Sequence, residues 1–297
     1  MRMKQNIYII YHSQKLINFP KQTNHKTNIE YFASFYEDTY NIIFLKDTDD
    51  YILSLVNEIV VIGLNSLLFK YKPTYSSNTI ITFDREYHEL GRIFTNKLKT
   101  YKLLLEKDFD TIFTRFLPDL IIEKAYEVYP SSITYPLVIK HIFGTNGEQV
   151  YLVNNKIEWE RLLMSNGEKR IPTSDFIVQP FITTSIGSDI RIVCMGNDIF
   201  AYERNNPNDF RSNVSLGASF KLKELNDFQL LETKRLMKMI KNNYPDYNHL
   251  IGIDIFNDEK FTIIELNSNP GLHGLTSLLD EEFQYKLKKF FNLKCYN

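Results

Sequence analysis

The chain has 297 residues, 43% of them hydrophobic, and its 35 Lys and Arg against 36 Asp and Glu leave a net charge of −1. That length can bury a sizeable core and allows one to three subdomains. The charge balance argues against a nucleic-acid or membrane-surface binder, which would carry a basic excess. Cys194 and Cys295 form no CxxC pair, so neither a disulfide framework nor a zinc site is indicated. The apolar run after the first residues is too short for a secretory signal, and no stretch of about 18 apolar residues could span a bilayer. A soluble, cytoplasmic protein is expected.

In chain order, 6–11 reads as an opening strand rich in β-branched and aromatic residues. Strand-length runs follow at 41–45, 58–63 and 79–83, with helical stretches at 28–37 and 48–55; Thr48 is a plausible N-cap with Asp49 and Asp50 in the first turn. The alternation predicts a small α/β unit with a mainly parallel sheet over 1–95. A second region, 96–173, offers a helix at 96–107, strands at 136–140 and 148–153, and a helix at 156–164. The third, 174–297, reads as strands at 178–181, 189–195 and 198–203 with Gly196-Asn197 as a turn, then a long helix at 224–241 and a hairpin.

That hairpin joins Ile251-Gly-Ile-Asp-Ile-Phe256 to Phe261-Thr-Ile-Ile-Glu-Leu-Asn267 through a polar four-residue turn. With 257–260 as the loop, Phe256 pairs with Phe261 and Asp254 falls opposite Ile263. Asp254, Glu265 and Asn267 then share one face, since side chains alternate along a strand. A solvated polar face is the competing reading. The apolar neighbours favour a buried strand pair, where two carboxylates and a carboxamide suit Mg²⁺ or Mn²⁺ shared with phosphates.

Upstream, Pro136-Leu-Val-Ile-Lys140 leads into a loop bounded by Gly144 and Gly147, where backbone N–H groups and a lysine can approach phosphate. Alone this is an ordinary turn signal. Arg191, Arg204 and Arg211 fall within about twenty residues, and arginine suits bidentate contact with phosphate or carboxylate; taken singly they read equally well as exposed ion pairs. His141 reads as structural or substrate-facing, and Cys194 as core.

Together these pieces resemble the ATP-grasp superfamily, in its ribosomal-protein glutamate ligase (RimK-like) branch. The matching segments are Val138-Ile-Lys140, Gly144-Thr-Asn-Gly147, Val178-Gln179, Gly187-Ser-Asp-Ile-Arg191, Asp209-Phe-Arg-Ser-Asn213, Gly252-Ile-Asp254, Glu265-Leu-Asn267 and Pro270-Gly271. They span about residues 96–275. The resemblance implies an α/β fold of α+β lobes that hold ATP between them, after an N-terminal pre-ATP-grasp α/β domain. It gives Lys97 and Lys140 to the phosphates and the loop Gly144, Thr145, Asn146 and Gly147 to closure over them. Gln179, Pro180 and Phe181 become the adenine hinge, and Asp189 holds the ribose. Arg204 and Ser212 join the nucleotide contacts. Arg211, Arg191 and Asn213 serve the reacting groups, and Asp254, Glu265 and Asn267 hold Mg²⁺. Pro180 departs from the glutamate usual at the hinge, but it keeps a carbonyl while Phe181 keeps an N–H.

The implied reaction is ATP-dependent joining of a carboxylate to an amine through an acyl phosphate, on an amino acid, peptide or protein. Two rivals are a ligase that crosslinks a precursor peptide and an ATP-binding sensor or scaffold without turnover.

Overall fold

The computed structural model describes residues 5–11, 28–46, 59–62, 79–82, 89–122, 134–145, 147–164, 171, 173–245, 247 and 250–290. The helix expected at 48–55, Asn146 and Cys295 lie outside the described residues.

Strands β1 (Asn6–Tyr11), β2 (Asn41–Lys46), β3 (Ile59–Ile62) and β4 (Thr79–Thr82) form a sheet in the order β2-β1-β3-β4, parallel throughout as the alternation predicts. The near-continuous apolar run of β1 suits a strand covered on both faces. Ile7 and Ile9 are fully buried with Phe32 of α1 (Asn28–Tyr36), in a core that also takes Leu275, Phe283 and Leu287 of the C-terminal helix α7 (His273–Phe290).

Helix α2 (Glu89–Phe94) leads to α3 (Lys97–Glu106), which starts where the Asn96 side chain accepts a hydrogen bond from the Lys99 N–H at 3.0 Å. Its buried Leu103 and Leu104 pack against the largest sheet. A second, antiparallel sheet has the order β5-β8-β6-β7, built from β5 (Arg115–Phe116), β6 (Leu137–His141), β7 (Val150–Val153) and β8 (Phe176–Pro180). Leu137, Ile139, Phe176 and Val178 point from it into a core shared with α4 (Leu117–Ile122) and with Leu163 of α5 (Lys156–Met164). β8 follows residue 173 in the chain yet belongs to this sheet, because its partners β5 and β6 lie upstream.

The third sheet has the order β11-β10-β9-β12-β13. Its strands are β9 (Ser188–Met195), β10 (Asp198–Asn205), β11 (Ser219–Leu222), β12 (Ile251–Phe256) and β13 (Ile263–Asn267). Gly196 adopts φ 61° in the turn between β9 and β10, where a left-handed residue is needed. Helix α6 (Asp227–Asn243) begins three residues later than the periodicity suggests, because Asn226 and Gln229 form a reciprocal capping box at 2.8 and 3.2 Å. Among the described residues no helix is long and apolar enough to cross a membrane.

The β12–β13 register differs from the expected one. Gly252 pairs with Asn267, Ile253 with Leu266 and Asp254 with Glu265, and the ladder then slips by one so that Ile255 pairs with Ile263. The slip is a bulge, with one extra residue on β13, and a turn count that assumes a regular hairpin cannot see it. Asp254 therefore stands opposite Glu265, not Ile263. The two-residue displacement leaves all three polar side chains on the same face.

Candidate functional site

The floor of the cleft is one face of the third sheet. Strand register sets Arg204 of β10 opposite Asp189 of β9, Arg191 of β9 opposite Asp254 of β12, and Asp254 opposite Glu265 of β13. Arg191 clamps Asp254 with two donors, Nε to Oδ1 at 2.7 Å and Nη2 to Oδ2 at 2.6 Å. Arg204 clamps Asp189 in the same two-pronged way and reaches Asp254 Oδ2 at 2.9 Å. Burial by itself would raise the Asp254 carboxyl, but the two guanidiniums beside it prevail and hold it at about 2.

This network was not foreseen. Arg191 and Arg204, expected to face substrate and nucleotide, spend their donors on two carboxylates. Asp189, expected to hold a ribose, has both oxygens occupied by Arg204 and is 4% exposed. The physical reason is solvation: charges taken this far from water must be paired.

The roof comes from the second sheet. Lys140, on the cleft face of β6, has its ammonium pushed down to about 8 by burial, with Glu265 pulling the other way. Past Lys140 the chain turns through Gly144 and Gly147. Gly147 adopts φ 75°, and a Cβ there would stand 2.7 Å from Asn213 Oδ1. Two cations hold the loop by its carbonyls: Lys97 Nζ donates to Gly144 O, and Arg211 Nη1 donates to Gly147 O at 2.7 Å. Lys97 also sits 3.3 Å from Glu265, which ties roof to floor. Arg211 is steadied by Asp209, with Nε to Oδ1 at 3.0 Å and Nη2 to Oδ2 at 2.7 Å. Asp209 was missed as a partner, although a carboxylate two residues before an arginine was the available signal.

At the back, Gln179, Pro180 and Phe181 leave β8. The Phe181 N–H donates to Pro136 O at 3.0 Å, so it is not available to a base. This corrects the expected hinge. Strand alternation turns Phe181 toward β6 and sends the Pro180 carbonyl and the Ile182 N–H to the opposite edge. Pro180 pairs with Leu137 at a position that asks for no N–H, which is why a proline is accepted there.

All the expected residues except Asn146 line this one cleft, together with Ile112, Ile182, Phe210 and Asn269, which the sequence reading did not single out. A space of about 1280 Å³, part of it open to solvent, lies between roof and floor. No three His, Cys, Asp or Glu side chains cluster to hold a metal among the described residues. The donors that are present still fit a hard cation. Asp254 offers about four acceptor positions and meets three arginine N–H donors, so one position on Oδ1 remains. Glu265 faces it, and the buried Asn267 amide has its nitrogen without a partner. Such a set needs phosphate oxygens to complete a Mg²⁺ shell.

Residues 94–290 match the RimK-like ATP-grasp domain. The chain is 27% identical over 221 residues to a probable alpha-L-glutamate ligase 2 of Hahella chejuensis, covering 72% of this chain and 65% of that protein. It thus spans less than two thirds of that relative. In fold, it is similar to a RimK domain ATP-grasp protein of Sphaerobacter thermophilus, with a TM-score of 0.61, 12% identity, and 96% and 98% of the two chains covered. A D-alanine–D-alanine ligase of Bacillus anthracis complexed with ATP gives the same TM-score of 0.61 at 15% identity, covering 96% of this chain and 95% of that one. The architecture is the α/β ATP-grasp fold.

Proposed function

Because the chain belongs to the RimK-like ATP-grasp family, we propose that it is an ATP-dependent ligase that joins a carboxylate to an amine, with an amino acid or peptide among its substrates. One observation supports this above the others. Cations of the roof (Lys140) and of the segments beside it (Lys97, Arg211) face a floor that carries Asp254, Glu265 and Asn267 across a single cleft. Phosphoryl transfer asks for this arrangement, since positioning and charge neutralisation do most of the work.

In this reading the base lies against Pro180 O and Ile182 N–H, and Lys140 and Lys97 neutralise the phosphates. The Gly144–Gly147 loop covers them. Asp254, Glu265 and Asn267 hold Mg²⁺, which supplies charge neutralisation at the phosphates when bound. A substrate carboxylate oxygen attacks the γ-phosphorus and ADP leaves, giving an acyl phosphate. An amine nitrogen then attacks the acyl carbon, phosphate leaves, and the nitrogen loses a proton to form the amide. Arg211 steadies the reacting phosphate. Arg191 and Arg204 act from beneath by keeping Asp254 ionised and oriented. We further assign 1–95 to an N-terminal α/β domain, 96–173 and 174–297 to the two ATP-grasp lobes, and the whole to the cytoplasm.

Release of ADP and phosphate with a panel of amino acids and short peptides tests the proposal. Amide product identified by mass spectrometry supports it, and an internally crosslinked peptide identifies the precursor-modifying rival instead. ATP binding with no turnover on any acceptor, in the presence of Mg²⁺, points to the sensor.

A further inference from the structure

The cleft contains a hydrogen-bond relay that neither phosphate chemistry nor metal binding uses. Thr114, 4% exposed, donates its hydroxyl proton to the Ile112 carbonyl, Oγ1 to O at 2.8 Å. A hydroxyl has one proton, so Thr114 Oγ1 then presents only lone pairs. Gln179, 6% exposed, meets it with Nε2 at 2.8 Å. The reverse orientation of that amide would set oxygen against oxygen, so the relay fixes which end points where. This settles an assignment that geometry alone leaves open for a carboxamide. Gln179 Oε1 is left on the other side, buried and without a partner. Gln179 stands opposite Val138, two residues from Lys140, and all three line the cleft beside the Pro180 hinge. A buried acceptor in want of a donor is a defect that the right ligand removes.

Resting on the nucleotide reading above, we infer that Thr114 sets the purine selectivity of the cleft by fixing the Gln179 carboxamide with its oxygen toward position 6 of the base. Adenine brings an amino group there and satisfies Oε1. Hypoxanthine and guanine bring a carbonyl oxygen, and the two acceptors repel. Thr114 is a positioning residue in this scheme: it touches Gln179, not the base.

The probes are ATP and ITP, which differ at position 6 and in the proton state of the adjacent nitrogen, titrated by calorimetry in the absence of a carboxylate substrate. Wild type is expected to prefer ATP by about tenfold or more, the scale on which a site with a fixed hydrogen-bonding group rejects a mismatched analogue. Thr114→Val, close to isosteric, frees the amide to turn its nitrogen toward the base. The preference should then shrink to within about threefold, chiefly through tighter ITP, because a lost discrimination of one hydrogen bond is of that order. Thr114→Ser, which keeps the hydroxyl, should retain the wild-type ratio, and Gln179→Leu should flatten it. Thr114→Ala serves if the valine variant does not fold, as judged by its melting curve. A wild type that binds both nucleotides alike overturns the inference. So does a Thr114→Val variant with an unchanged ratio beside a Gln179→Leu variant that loses it. A wild type that binds neither nucleotide refutes the nucleotide reading itself, and the inference falls with it.

Discussion

Lys140 offers the sharpest test of the cleft as a phosphate site, because its burial makes a proton count measurable. With the ammonium pushed from the usual 10.5 down to about 8, the free protein at pH 8 carries a proton on Lys140 about half the time. A polyphosphate laid against it favours the charged form and raises the value again. ATP binding at pH 8 should therefore take up about half a proton, and affinity should fall as pH rises through 8. The sign for the unliganded protein is the opposite. Between 8 and 10.5 the unfolded chain binds more protons at this lysine than the folded one, so this group's contribution to stability rises with pH across that window. Calorimetric titration with ATP in buffers of different ionisation enthalpy reads the uptake as a slope. We expect a slope near one half at pH 8 and near zero at pH 6. Lys140→Arg, which stays charged throughout, should abolish the slope at pH 8 while ATP still binds. Proton release, or a slope of zero in wild type at pH 8, would refute the assignment of Lys140 to the phosphates.

Three further outcomes follow from the geometry. Glu265→Gln keeps the shape of a side chain opposite Asp254 but removes its charge; melting should stay near wild type while Mg²⁺-dependent ADP formation drops sharply, and partial recovery at high Mg²⁺ would confirm a metal role. Arg211→Lys loses the two-pronged hold on Asp209 and the bond to Gly147 O; single-turnover ADP formation should slow by about 10²–10³ with ATP affinity within a few-fold, whereas a lower melting point with intact rate would mark a structural arginine. Arg204→Met leaves Asp189 and Asp254 buried without their shared partner; a loss of ~3–5 kcal/mol in chemical denaturation is expected, and a loss below ~1 kcal/mol would mean that water reaches the pair.

The element order was largely legible because periodicity and caps are local. The fate of individual side chains was legible only where local rules decide it. Asp254, Glu265 and Asn267 share a face under either register, so the site survived a pairing error that a bulge at Ile255 made unavoidable. The hinge failed for a different reason. Alternation along β8 was available in principle, but which edge met β6 depended on pairing across some forty residues, and Phe181 rather than Ile182 turned out to spend its N–H on Pro136. Arginine roles were least legible. A sequence records how many cations lie near one another but not which carboxylates burial will force them to neutralise, and Arg191 and Arg204 were claimed by Asp254 and Asp189.

The separation of the hydrophobic cores bears on how the cleft could move. β1 and the C-terminal helix bury their side chains in one common core, so those parts cannot part without wetting Ile7, Ile9, Phe283 and Leu287. The core beneath β6 and β8 draws only on residues between Leu117 and Val178 and shares none of its buried members with the other two. The bonds that hold the glycine loop to the rest, from Lys97 to Gly144 and from Arg211 to Gly147, are polar and can be exchanged for water or phosphate with little net change. Swinging the β5–β8 sheet outward as a lid would therefore exchange polar contacts and leave the grease intact, and admission of a nucleotide need not wait on any loosening of the fold.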